Sequence, residues 1–170
     1  MVVKERSLLD WMAKVAFIAA CVTLTGVALL QYHRGRTPDV PDAQENVFVG
    51  LKLGTPWPQE RPTRTVLVYV SSGCRYCEAS IPFYSRLIER ASRSDGRWTV
   101  AFVARDPVDA TTSFLAAKGV TGTVLPAVPA GLPARATPLL AIIDSAGVME
   151  SSWVGQLSSR QESKVLAAIQ

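Results

Sequence analysis

Two cysteines three positions apart, Cys74 and Cys77, are the residues of this 170-residue chain best suited to chemistry. Cysteine reacts as the thiolate, which is favoured where the sulfur meets the unpaired N–H groups and positive dipole end of a helix start, or a nearby cation. Arg75 supplies such a cation between the two. At this spacing on a helix start, Cys77 lies one turn along and can attack a mixed disulfide formed by Cys74, the elementary step of dithiol-disulfide exchange. That chemistry needs a scaffold that puts Cys74 at the beginning of a helix. Thr65 to Val70 is an apolar, β-branched run suited to a strand covered on both faces, and Ser71-Ser72-Gly73 breaks it before the cysteines. Beyond Cys77, Ile81, Tyr84, Leu87, Ile88 and Ala91 recur with helical period, while Arg86, Glu89, Arg90 and Arg93 fill the other face. Pro82 falls inside this pattern and predicts a kinked helix.

Other chemistries lack their residues. Zinc or an iron-sulfur cluster needs roughly four protein ligands. The polar part of the chain offers two cysteines and no histidine after His33, so no metal and no other cofactor is expected. The same lack of histidine removes a Cys-His nucleophile. A structural Cys74–Cys77 disulfide would close too short a loop to stabilise much. The net charge of +4 is spread as single Lys and Arg among acidic residues, without the basic stripe or interleaved aromatics that grip nucleic acid.

The rest of the chain divides into an appendage and one domain. Residues 1–14 form a short polar segment, and Val15 to Leu30 then runs sixteen residues without a charge. Residues 15–32 are predicted to be a transmembrane anchor, with Lys14 able to snorkel and Trp11 and Tyr32 placed as interfacial aromatics. A cleaved signal would want a small-x-small site that Leu29 to His33 does not offer. Ile18-Ala19-Ala20-Cys21 resembles a lipoprotein box, but the apolar run continues for nine residues past Cys21. Flanking charges favour an inward N-terminus only slightly, with Lys4, Arg6 and Lys14 before the span against Arg34 and Arg36 after it. A redox domain on a membrane tether is most useful where soluble reductants are absent, which places it on the extracytoplasmic side.

Residues 33–46 read as a tether, and the alternating island at 47–53 as an edge strand or hairpin leading into the domain at 47–170, with Trp57 pinning the following loop. Trp98 to Ala104 is a second buried strand, Val108 to Lys118 a helix ended by Gly119, and Val120 to Ala136 an apolar connection with room for a short strand at Val124. Pro138 to Asp144 and Val148 to Val154 form a hairpin across Ser145-Ala146-Gly147, and a last helix opens on a Ser159-x-x-Glu162 capping box. The order βαβαββα implies an α/β domain, a mixed sheet with helices on both faces, its first strands parallel and its last pair antiparallel.

Several features together resemble the thioredoxin-like superfamily, and more closely the membrane-anchored TlpA/ResA-type thiol-disulfide oxidoreductases. They are the strand-Cys74-Arg75-Tyr76-Cys77-helix unit, Pro82 five residues after the second cysteine, Thr137-Pro138 before a strand, the Asp144 to Gly147 turn, and Trp153-Val154-Gly155 before the last helix. The resemblance implies a thioredoxin-like fold over about residues 47–170. It implies a nucleophilic Cys74 and a resolving Cys77, a cis peptide bond before Pro138, and a substrate groove of Tyr76, Thr137 and Pro138 in which the Thr137 backbone bonds substrate peptide. Arg75 would then tune the pKa of Cys74. Partners would be protein thiols or disulfides and a redox partner protein, with the domain facing the periplasm or cell exterior from the bacterial cytoplasmic membrane. The chain also departs from the family. Gly73 stands where Trp is common, Val68 where thioredoxins carry a buried Asp, and Ser80 where cytochrome-maturation members often carry Glu. The usual proton acceptor for Cys77 is therefore missing, with Glu78 either a replacement or simply a solvated first-turn acid. Two alternatives stay open: a redox-inactive thioredoxin-like binding module, and a peroxiredoxin-like peroxidase. For the latter, Leu67 and Ser71 stand where the pattern Pro-x-x-x-Thr-x-x-Cys wants Pro and Thr.

Overall fold

The computed structural model describes residues 14–19, 21, 23, 42–54 and 64–169. The chain divides into two units, Met1–Asp39 and Val40–Gln170. In the first, the described residues are helical and exposed. The predicted anchor falls largely outside the described residues, and among those described no helix is long and apolar enough to cross a membrane. Trp57 also lies outside them.

The second unit is built on a six-stranded sheet in the order β1-β6-β5-β2-β3-β4. Its strands are β1 (Gln44–Glu45), β2 (Arg64–Val70), β3 (Trp98–Ala104), β4 (Thr123–Leu125), β5 (Leu139–Ile143) and β6 (Met149–Val154). Its helices are α1 (Arg75–Ala79), α2 (Ile81–Ser92), α3 (Val108–Ala117) and α4 (Ser159–Ala168). The parallel pairing of β2 with β3 and the antiparallel β5–β6 hairpin follow the expected order. The short strand at Val124 is present as β4, parallel to β3 at the sheet edge.

β2 sits in the centre because its composition leaves no other place for it. Every residue after Arg64 is buried, and alternation sends Val66, Val68 and Val70 into one core and Leu67 and Tyr69 into the other. Each such buried aliphatic side chain contributes about 1.5–3 kcal/mol.

The two faces are covered differently, which corrects the expectation of helices on both. Phe83, Tyr84 and Leu87 of α2, Leu115 of α3 and Val165 of α4 all join the core with Val66, Val68 and Val70. The opposite core is closed, among the described residues, by Leu53, Leu125 and Leu132, with Phe48 packed against it. The reason is chirality. The β2-α-β3 and β3-α-β4 crossovers are parallel and advance across the sheet in the same direction, so right-handed connections put both on one face.

Three local predictions shift. The 47–53 island is not an edge strand: Val47 to Gly50 is a turn, helped by positive φ at Asn46 (59°) and Gly50 (84°), and Lys52 makes a single bridge to Val148. The edge strand lies just upstream as β1, paired antiparallel to β6. Pro82 does not kink one continuous helix. The chain breaks at Ser80, whose N–H donates to the carbonyls of Tyr76 and Cys77, and α2 restarts with Pro82 in its first turn, where no N–H is required. The capping box is one residue earlier than predicted, on Ser158 and Gln161.

That shift has a tertiary cause. Gln161 is buried, and its amide donates to the Ala43 carbonyl while its Oε1 accepts from the Ala43 N–H, both at 2.9 Å. One side chain thus caps α4 and holds the entry to β1. Gln161→Ala leaves both Ala43 groups and the cap unsatisfied, and is expected to cost about 2–4 kcal/mol in urea unfolding. A variant as stable as the parent would contradict this role.

Candidate active site

The strand register assembles the site. β2 runs parallel to β3, with Val70 opposite Ala104, and antiparallel to β5, with Tyr69 opposite Leu139. The residues leaving β2, namely Ser71 to Cys77, therefore lie beside the residue pair that follows β3 and the residue pair that enters β5. The first contact is with Asp106, the second with Thr137-Pro138, whose peptide bond is cis.

Asp106 Oδ2 accepts from the Ser72 N–H at 2.7 Å and from the Ser71 and Ser72 hydroxyls, each at 2.9 Å. These bonds hold its carboxyl below the ordinary 3.8. The clamp fixes the turn from which α1 starts. Sequence reasoning did not single out Asp106; its only trace was an acid just past a strand parallel to β2.

Cys74 is the N-cap of α1, with extended backbone (φ −92°, ψ 111°), and its Sγ accepts from the Cys77 N–H at 3.3 Å. Its thiol donates to the Thr137 carbonyl at 3.3 Å. Partial burial raises the pKa of Cys74, but hydrogen bonds with the Cys77 and Thr137 side chains and with the Cys77 and Tyr76 main chain outweigh it, and the thiol falls below its ordinary 9.0. Cys77 is the opposite case. It is fully buried, and burial together with the neighbouring Cys74 sulfur pushes it up to about 12. One sulfur is thus half-exposed with its thiol shifted toward ionisation, and the other is enclosed and held protonated.

The other predicted residues separate into two groups. Thr137 and Pro138 stand against the cysteines, and Thr137 does more than expected: besides its carbonyl, its side chain lowers the pKa of both thiols. Tyr76 is exposed beside Cys74, and Arg75 turns onto it, with the guanidinium 4.6 Å from the ring centroid and an N–H donated to the phenol oxygen at 2.6 Å. The forces that lower Cys74 are the hydrogen bonds named above. Glu78 is exposed and pairs with Lys118 at the surface, so it does not serve Cys77. Among the described residues there is no group of three His, Cys, Asp or Glu placed to hold a metal.

A half-exposed cysteine at a helix cap, a buried partner three residues on, and a cis-proline facing both on a sheet of this order decide the architecture. The fold is thioredoxin-like. Solved structures agree in fold. A secreted thiol-disulfide isomerase from Corynebacterium glutamicum aligns at a TM-score of 0.53 and 16% identity, over 64% of this chain and 71% of that one. A DsbF homologue from Corynebacterium diphtheriae aligns at 0.52 and 18%, over 71% of this chain and 85% of that one. The thioredoxin domain of a thiol-disulfide oxidoreductase from Bacteroides vulgatus aligns at 0.50 and 12%, over 64% and 81%. No sequence profile of a known family matches this chain, and no curated protein sequence does.

Two measurements test this thioredoxin-like site. In the reduced protein, alkylation of Cys74 by iodoacetamide is expected to rise with a midpoint below that of an ordinary thiol, while Cys77 resists until pH nears about 12; equal profiles for both would contradict the asymmetry. For Asp106 the folded pKa is depressed, so its stabilisation is present above the ordinary 3.8 and is lost as pH falls through the folded value. Asp106→Ala is expected to lose about 1 kcal/mol at neutral pH, a figure kept small because the carboxylate is solvated. The gap to the parent should close in acid, as followed by urea unfolding at several pH values.

Proposed function

We propose that the chain is a thiol-disulfide oxidoreductase exchanging its Cys74-Cys77 pair with protein substrates. The observation that carries this reading is the opposed chemistry of the two sulfurs. Cys74 is accessible and biased toward thiolate, whereas Cys77 is enclosed and biased toward thiol. In the reducing direction, the Cys74 thiolate attacks a substrate disulfide, forming a Cys74–substrate disulfide and releasing one substrate thiolate, which takes a proton from solvent. Cys77 then loses its proton and attacks Cys74 Sγ, forming Cys74–Cys77 and releasing the second substrate thiol. Two electrons pass to the substrate. A redox partner protein restores the dithiol, and the same steps reversed oxidise a substrate.

Tyr76, Thr137 and Pro138 would border the substrate groove, with the Thr137 backbone offering hydrogen bonds to an extended peptide. Arg75, held over Tyr76, would present positive charge on that rim. The uncharged stretch from Val15 to Leu30 supports an anchor at residues 15–32 in the bacterial cytoplasmic membrane, with the domain facing the periplasm or cell exterior.

Thiol trapping tests the chemistry. Cys77→Ser should accumulate a covalent Cys74–substrate disulfide, and Cys74→Ser should lose exchange altogether. If both variants exchange disulfides as fast as the parent, the proposal fails. Among the described residues no carboxylate acts on Cys77, which favours the competing reading of a redox-inactive binding module; that reading predicts no reversible dithiol titration in glutathione buffers. Labelling of Cys74 in intact cells by a membrane-impermeant reagent checks the topology, and labelling only after lysis would reverse it.

A further inference from the structure

Cys74 Sγ meets the Thr137 carbonyl at 3.3 Å, so a disulfide that reaches Cys74 must settle between the loop leaving β2 and the loop entering β5. Each loop carries an arginine beside that contact. Arg75 follows Cys74 directly, and Arg135 stands two residues before Thr137, a chain distance of at most about 7 Å. Both are exposed, and neither forms an ion pair among the described residues.

The acids at this end of the sheet are placed elsewhere or already spent. Asp106 and Asp109 both follow β3, and the strand order puts β2 between β3 and β5, so they leave the sheet on the side away from Thr137. Asp106 is also bonded to Ser71 and Ser72, with the Arg105 charge acting on it. Glu78 pairs with Lys118. On the β5 side, the Gly155 N–H donates to the Pro138 carbonyl at 2.9 Å, which brings the exit of β6 alongside the groove, and Gly155 to Ser159 carry no charge. What remains beside the Thr137 carbonyl, among the described residues, is the charge of two arginines.

Arg75 is already arranged to bind. Its guanidinium lies 4.6 Å from the Tyr76 ring centroid and donates one N–H to the phenol oxygen at 2.6 Å, which leaves its other donors for a ligand. Stacking orders the long side chain without consuming its charge, so less freedom is lost when a carboxylate arrives. A guanidinium matches a carboxylate with two parallel bonds. The thiol chemistry does not call on this charge, because the forces that lower Cys74 are hydrogen bonds.

We propose that the cysteine pair is selective for acidic protein segments, with Arg75 and Arg135 binding Asp or Glu side chains that flank the substrate cysteine. The inference rests on the dithiol-exchange reading and adds a substrate class to it. With the segment lying along Thr137, the Cys74 thiolate attacks the substrate sulfur. The substrate S–S bond breaks, and the leaving sulfur departs with the electron pair and is protonated from solvent. Cys77, on losing its proton to solvent, attacks Cys74 Sγ and the substrate thiol is released. Neither arginine takes part in these steps. They act before them, raising the local concentration of acidic segments and holding them in register. An ion pair on so exposed a rim is worth only about twofold to fivefold in affinity, so the selectivity is the product of both.

Three extended peptides test this, alike except that the residues flanking their single cysteine are Glu, Gln or Lys. Each carries that cysteine as a disulfide with a neutral thiopyridyl group, whose release is followed on mixing with the reduced full chain carrying Cys21→Ser. Every rate is divided by that of dithiothreitol with the same peptide, which removes the intrinsic reactivity of the disulfide. At low ionic strength the parent is expected to prefer the Glu peptide over the Lys peptide about tenfold, with Gln between, and the difference should lie in the saturation constant rather than the limiting rate. The ratio should shrink toward unity at about 1 M salt, where the screening length is about 3 Å. Arg75→Gln and Arg135→Gln should each cut it about threefold, and the double change to Glu should invert it. The Cys74 alkylation midpoint is expected to stay in place in Arg75→Gln. A midpoint that moves while all three peptides slow alike would make Arg75 a tuner of the thiol and overturn the assignment. If the parent treats the three peptides alike, or prefers Glu regardless of salt, the acidic selectivity is wrong and the redox reading stands. If the parent stalls as a Cys74–peptide disulfide and never frees the peptide thiol, the redox reading itself falls, and this inference with it.

Discussion

The site depends on how β2 is paired. A strand buried on both faces has to be bonded on both edges, and here its two partners run in opposite senses, β3 parallel and β5 antiparallel. At the C-terminal end of β2 one neighbour is therefore ending and the other beginning. A loop leaving β2 finds the exit of β3 on one side and the entry of β5 on the other. The Asp106 clamp and the Thr137-Pro138 wall are consequences of that single arrangement. It costs no dedicated scaffold, because the hydrophobic demand of Val66 to Val70 enforces it.

Within that frame, two cysteines of the same residue type acquire opposite acidities from a separation of one helical turn. Cys74 is at the cap, where orphan N–H groups and the Thr137 side chain favour negative charge. Cys77 is inside the helix and inside the core, where the medium penalises charge. The Cys74 sulfur adds to the rise at Cys77. The one cation within the motif, Arg75, is instead stacked on Tyr76 at the surface. The asymmetry is a product of burial and of the hydrogen bonds around each sulfur.

The parts of this arrangement that were legible in the sequence are those governed by local pattern. The continuous apolar run at Thr65 to Val70, the helical period from Ile81 to Ala91, and the spacing of Cys74 and Cys77 each reflect a one-dimensional rule. The pairing of Thr137-Pro138 with the cysteines was reached only through resemblance, because antiparallel register between β2 and β5 is not written in either segment alone. What escaped was set by contacts between segments far apart in the chain. Gln161 was passed over as a box residue in favour of Glu162, because its decisive partner is Ala43, distant in sequence. Asp106 was unmarked for the same reason, since its partners are Ser71 and Ser72. The 47–53 island misled because its alternation is real but serves a turn that drops Phe48 and Leu53 onto the core of Leu67 and Tyr69.

The grip of Gln161 on Ala43 also defines a load path. The described chain enters the domain at the β1 edge, where Arg160 pairs with Asp42 and Lys164 with Glu45. Tension entering there is borne as shear along β1–β6 and as a pull on the start of α4. β6 and β5 separate that edge from β2. A pull applied at Asp42 would thus be taken up at the periphery of the sheet, with β6 and β5 between it and the strand that leads to the two sulfurs.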